Sequence, residues 1–138
     1  LVDIPPDGAS RLTTWVLRVE DIEAAAASAR NAGVALGQVE SGMRETPDGS
    51  VLRWQLTDPI AMPMQGAVLF LINWGDTPHP AGAVPPGGEL VNVRIEHPDA
   101  AGVRQALSAI GASVAVVDGD QFRIVATIKT KEGEVTLQ

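Results

Sequence analysis

The chain has no cysteine and no tyrosine. The first absence removes disulfides, thiolate metal sites and a cysteine nucleophile, and the second removes a phenol as acid or base. Aromatic residues make up only 4% of the chain, and the net charge is -7, from 10 basic and 17 acidic side chains. An acidic surface repels phosphate and few rings are there to stack on bases, so nucleic acid is not an expected partner. No apolar run approaches the roughly 18 residues of a membrane span. No secretory signal reads from Leu1-Val2-Asp3-Ile4-Pro5-Pro6, so the expected location is the cytoplasm. An initiator methionine is absent as well, and the expectation is a piece of a longer protein, truncated at its N-terminus. There is no Gly-x-x-x-x-Gly-Lys-Ser/Thr, no Gly-x-Gly-x-x-Gly after a strand, no His-Glu-x-x-His and no Gly-x-Ser-x-Gly.

What remains is an ordinary globular composition, 45% hydrophobic and 20% charged over 138 residues, long enough for one domain with a real core. The chain is arranged around Phe70-Leu71-Ile72-Asn73-Trp74-Gly75-Asp76-Thr77-Pro78-His79-Pro80. An apolar run there reads as a buried strand or a short buried helix. Phe and Ile favour the strand, and Gly75, Pro78 and Pro80 stop it. Polar side chains crowd the stop: Asn73, Asp76, Thr77 and His79.

On each side lies a similar plan. Residues 12–20 alternate as a strand, with Trp15, Leu17 and Val19 opposite Thr14, Val16 and Arg18. Glu20, Asp21 and Glu23 open a helix whose stripe is Ile22, Ala25, Ala26, Ala29 and Ala32, and Gly33 ends it. Residues 34–39 read as a weaker strand or extended segment, and Pro47-Asp48-Gly49 as a turn. Strands follow at 51–56 and 67–74, separated by a loop that holds Met62 and Met64. A Pro- and Gly-rich linker covers 76–88. The second half repeats the order: a strand from Glu89, a helix started by Pro98 and Asp99 with the stripe Ala100, Val103, Leu107 and Ile110, a strand at 114–117, and a hairpin of 122–128 with 134–137. A shift of 78 residues lays Trp15 on Val93, Leu17 on Ile95, Ala25 on Val103, Ala29 on Leu107 and Gly33 on Gly111. Repetition on this scale predicts two duplicated β-α-β-β-β modules, about 11–75 and 89–138, an α+β fold of mixed or antiparallel sheets.

Several residues carry chemistry, each with two readings. His79 and His97, the only histidines, read as metal ligand or general base, or else as a turn stabiliser and a helix cap. Arg18, Arg53 and Arg94 each lie on the strand face opposite bulky apolar residues. With helices over the apolar face they form a forked cradle for a carboxylate or other anion; otherwise Arg94 has Glu96, two residues on, as an ion-pair partner. Arg44 reads as a rim residue. Trp54 and Trp74 read as an aromatic wall for a flat ligand or as core, Trp15 as core, and Met62 and Met64 as a lid or as loop packing.

Pro47-Asp48-Gly49-Ser50 with Leu52-Arg53-Trp54, then Phe70 through Pro80, then Glu96-His97-Pro98, resemble the glyoxalase-like domain group of bacterial proteins, within the vicinal oxygen chelate superfamily of glyoxalase I and the extradiol dioxygenases. The resemblance covers about residues 10–138. It implies curved sheets enclosing a cup, with helices outside, and in many members a divalent metal held by His or Glu. The corresponding inward positions here are about Thr14, Asn73, Asn92 and Thr136, none of them a His or carboxylate.

The expectation is a small-molecule-binding protein without a complete metal site or cofactor. Its expected ligand is a small organic molecule, anionic if the arginines face it, held by Arg18, Arg53, Trp54, Asn73, Trp74, His79, Asn92, Arg94 and Glu96. The alternative is a metal-dependent lyase or dioxygenase completed by an upstream segment or a partner chain. A third reading is a structural dimerisation domain. A homodimer fits any of these, because modules of this kind leave sheet edges that pair.

Overall fold

The structure, a computed structural model, describes residues 12–138. The short apolar stretch that the sequence suggests at 1–4, and the turn that it suggests at Pro5-Pro6-Asp7-Gly8, lie outside the described residues. The chain then runs β1 (Val16–Arg18), α1 (Ile22–Asn31), β2 (Val39–Glu45), β3 (Val51–Thr57), β4 (Phe70–Asn73), β5 (Glu89–His97), α2 (Ala100–Ala109), β6 (Ala115–Asp118), β7 (Arg123–Thr130) and β8 (Gly133–Leu137). Two β-α-β-β-β modules are therefore present, as the repeat predicts.

The helices carry the repeat most clearly. Adding 78 to the bounds of α1 gives those of α2. Asp21 and Asp99 are the N-caps, accepting from Ala24 N and Gly102 N at 2.9 Å each. Gly33 and Gly111 take φ of +77° and +73°, which lets the chain turn out of the helix with no Cβ penalty. The Val34 and Ala112 amides then return to the carbonyls of Ala29 and Leu107, both at 2.9 Å. Ile22, Ala26 and Ala29 are buried on α1, and Ala100, Val103, Ala106 and Leu107 on α2. Ala32 is exposed, because it is already the C-cap and has left the buried face.

The strands diverge. Sheet one has the order β1-β4-β3-β2, and sheet two β6-β5-β7-β8. Each holds one parallel pair, β1 with β4 and β5 with β6. The strand after the helix goes to the far edge of sheet one but beside the first strand of sheet two. β2 lies later than the predicted 34–39 segment. Its sequence, Val-Glu-Ser-Gly-Met-Arg-Glu, has almost no apolar alternation, because an edge strand buries little. β4 is shorter than predicted: Ala67, Val68 and Leu69 are fully buried but precede it.

One core serves both modules, including Leu71 of β4 and Ile95 of β5, each wholly buried, with Val103 and Leu107 of α2. Each such Leu or Ile contributes about 1.5–3 kcal/mol on burial. The helices touch, and the Ser28 hydroxyl donates to the Ala109 carbonyl at 2.7 Å.

Candidate functional site

The site grows out of an early strand ending. β4 pairs with β3 only at Asn73–Gln55 and Ile72–Leu56. At Asn73 the side chain folds back: Oδ1 accepts from the Gly75 amide at 2.5 Å and Nδ2 donates to the Glu20 carbonyl. The Thr77 amide donates to the Trp74 carbonyl at 2.9 Å and closes the turn. The Thr77 hydroxyl then accepts from the Arg53 amide at 3.2 Å, where a longer β4 would have bonded. His79 Nδ1 accepts from the Ala81 amide at 3.1 Å and caps a short 3-10 turn, Pro80–Ala83. The linker after β4 thus continues alongside β3 as a wall.

The opposite rim is the β2–β3 hairpin. Thr46 and Ser50 are knitted to Asp48, whose carboxylate accepts from the Thr46 hydroxyl and, at 3.1 Å, from the Ser50 amide. These bonds, Thr46's first, hold the exposed Asp48 carboxyl below its ordinary value.

Between the walls is a cavity of about 1090 Å³, lined by residues from Arg44 to Ala83 of the first module and its linker. Its aromatic part is Trp54, Trp74 and His79. The two indole centroids are 5.7 Å apart at 58°, and His79 stands edge-on to Trp74 at 5.3 Å and 73°. Trp54 lies across β2 over Gly42: a Cβ there would come within 2.5 Å of the indole. Trp74 Nε1 is buried with no partner among the described residues.

Of the residues expected at the site, Arg53, Trp54, Asn73, Trp74 and His79 line this cavity. Arg18, Asn92, Arg94 and Glu96 do not. Arg18 is exposed beside Glu20 at 3.9 Å. Arg94 is committed to Glu96 at 2.9 Å, and Glu96 also reaches Arg123 at 3.6 Å. The three arginines do not form one cradle, and the strand registers explain it. Arg18 pairs with Ile72, which pairs with Leu56, so Arg18 shares a face with Leu56 and Trp54. Arg53, one residue from Trp54, points to the other face, that of the fully buried Leu71. The apolar residues of β3 do not face the helix; they form the outward face of sheet one. Met62 and Met64 lie off the cavity, before and within the Pro63–Gly66 turn; Met62, Met64 and Gln65 all have positive φ, and Met64 packs on the core.

Arg44, Thr46, Asp48 and Thr77 also line the cavity. The Pro-Asp-Gly turn and the Trp-Gly-Asp-Thr-Pro-His-Pro run were the signals for them. Nothing in the sequence marked Gly42.

The divalent metal common in the superfamily finds no fitting donor set among the described residues. Both histidines use Nδ1 to accept a main-chain N–H, His79 from Ala81 and His97 from Asp99 at 2.9 Å. A neutral ring so held carries its proton on Nε2 and has no lone pair there for a metal. His97 Nε2 is moreover buried without a partner among the described residues. Among those residues no three His, Asp or Glu side chains cluster closely enough to hold an ion.

No helix among the described residues is long and apolar enough to cross a membrane. No curated protein matches the chain, and no solved structure does. The model of the glyoxalase-like domain matches residues 6–111, spanning the whole first module, β5 and α2. With that match over most of its length and paired β-α-β-β-β modules, the chain belongs to the glyoxalase-like domain family of the vicinal oxygen chelate superfamily.

Proposed function

We propose that this domain is a cytoplasmic small-molecule-binding protein whose ligand is a flat organic anion held in the first-module cavity without a metal. The observation that carries the reading is a cavity of about 1090 Å³ with indole walls and two arginines that have no carboxylate partner among the described residues. A cavity of that size holds a drug-sized molecule. The ring of such a ligand does not slide between the tryptophans: two stacking distances need about 7–8 Å, and the centroids are 5.7 Å apart. It lies against one open indole face.

The donors set the charge. Arg44, on the Trp54 face, and Arg53, on the other face with its Nη1 3.8 Å from Met43 Sδ, pair with no carboxylate among the described residues. The fixed His79 tautomer presents an Nε2–H. On the acceptor side, Asp48 is engaged by its own turn, which leaves Asp76. A guanidinium fork and an imidazole N–H suit a carboxylate better than a cation.

Calorimetric titration with indole-3-carboxylate, indole and tryptamine varies the charge on one ring system. The expected order puts the carboxylate about tenfold or more ahead. Arg53→Met removes that advantage, and Arg94→Ala, in its distant ion pair, leaves it intact. Equal affinity for all three probes, or none at millimolar concentration, overturns the reading.

A further inference from the structure

Among the described residues, the four strands at the sheet edges are not alike. β2 is the longest, seven residues against three for β1, four for β6 and five for β8. Glu40, Ser41, Met43, Arg44 and Glu45 are all exposed along it. An exposed edge of that length carries main-chain groups that call for a partner.

The hydrogen-bond alternation shows which groups these are. At the head of the hairpin the Thr46 amide bonds the Ser50 carbonyl at 2.8 Å. Three residues on from Ser50, the Arg53 amide turns away from β2 to Thr77. Met43, opposite Arg53, and Ser41, opposite Gln55, are therefore in pairs that do not bond each other, and their N–H and C=O groups point outward.

We propose that β2 pairs with β2 of a second copy of this chain, antiparallel and centred on Gly42. The strand is complementary to its own reverse. Centring on Gly42 sets Ser41 opposite Met43 of the second copy, matching the two outward-pointing sets of main-chain groups. It sets Glu40 opposite Arg44 of the second copy, twice, on the face that carries Trp54. Parallel pairing in register sets Glu40 against Glu40 and Arg44 against Arg44, so the charges reject that alternative. The bare Gly42 leaves room for both Trp54 indoles, which lean toward the two-fold axis from strands about 14 Å apart, three inter-strand spacings.

The consequence reaches the cavity. Arg44 lines it, so each copy brings a carboxylate to the rim of the other's site. The pairing occupies Arg44 and leaves Arg53 and the His79 N–H for the ligand.

Sedimentation equilibrium tests this on the full chain. The expected mass is twice the 14.4 kDa of one chain. Glu40→Arg faces Arg44 with a like charge and is expected to weaken association about tenfold or more. Arg44→Glu does the same. Combining Glu40→Arg with Arg44→Glu restores the pair in reverse and is expected to restore the dimer. Far-UV circular dichroism confirms that each variant is folded. A monomer throughout, or a dimer indifferent to both single reversals, overturns the proposal. Either result leaves the ligand reading to its own titration.

Discussion

The two modules start from the same local instructions and finish as different sheets. Their helices coincide under one offset, with an aspartate cap at one end and a left-handed glycine beyond the other. Yet the strand after the helix becomes an edge three places from the first strand in the first module (β2), and an edge directly beside the first strand in the second (β6 on β5). In the second module β5 and β7 pair from Glu89–Lys129 to Glu96–Arg123, so the ladder is nearly complete. In the first, β3 and β4 share two residue pairs and the linker takes over. The cavity occupies that unfinished ladder. Helix signals are local and survive duplication. Strand order depends on partners far along the chain, and the site follows strand order.

The largest expected effect tests whether the modules are thermodynamically separate. Leu71→Ala and Ile95→Ala each empty a fully buried position, one per module, in a shared core. Each is expected to cost about 2–5 kcal/mol. Urea unfolding followed by circular dichroism is expected to show one transition moved to lower urea in both variants. Two transitions, with only one displaced, would show that the modules fold apart.

Next is the feature that the first module alone has. Gly42→Ala places a methyl where the Trp54 indole lies, 2.5 Å from its nearest atoms. The ring must move, so tryptophan emission is expected to shift and probe affinity to fall several-fold, by about 1 kcal/mol. Unchanged emission would mean that Trp54 does not rest on β2.

A smaller effect is expected to be equal in the two modules. Asp21→Ala and Asp99→Ala remove matched caps, and each is expected to cost about 1 kcal/mol. Chemical denaturation of the pair checks the symmetry, and a cost confined to one module would break it.

The smallest expected effect concerns Asp48, which has no counterpart in the second module's hairpin. Its folded-state pKa is lowered, so its stabilisation is complete above the ordinary value of 3.8 and is lost as pH falls through the lower folded value. The stability difference between the protein and Asp48→Asn is therefore expected to shrink below that pH. A difference that grows on acidification would contradict the hydrogen-bond account.

Legibility in the sequence follows the same division. Asp21, Gly33, Asp99 and Gly111 announced both helices, because capping chemistry is read within a few residues. Trp54, Asn73, Trp74 and His79 were legible as cavity-lining candidates, since a strand that halts at Gly and Pro amid polar groups leaves side chains and main chain unpaired by the sheet. β2 was missed because an exposed edge strand needs no apolar alternation. Arg18, Arg53 and Arg94 looked equivalent because each alternates with apolar residues. The apolar residues of β3 face outward, however, while Leu17 and Ile95 face the core, and only the register with β4 separates the two cases.

A first-module cavity that binds its ligand through its own residues needs no metal to do so. Titration calorimetry of indole-3-carboxylate in excess EDTA, on the protein and on Trp74→Ala, tests it most directly. One binding event per chain is expected, which EDTA leaves unchanged and Trp74→Ala abolishes. Binding that appears only when Mn²⁺, Ni²⁺ or Zn²⁺ is added, or that Trp74→Ala leaves intact, would contradict it.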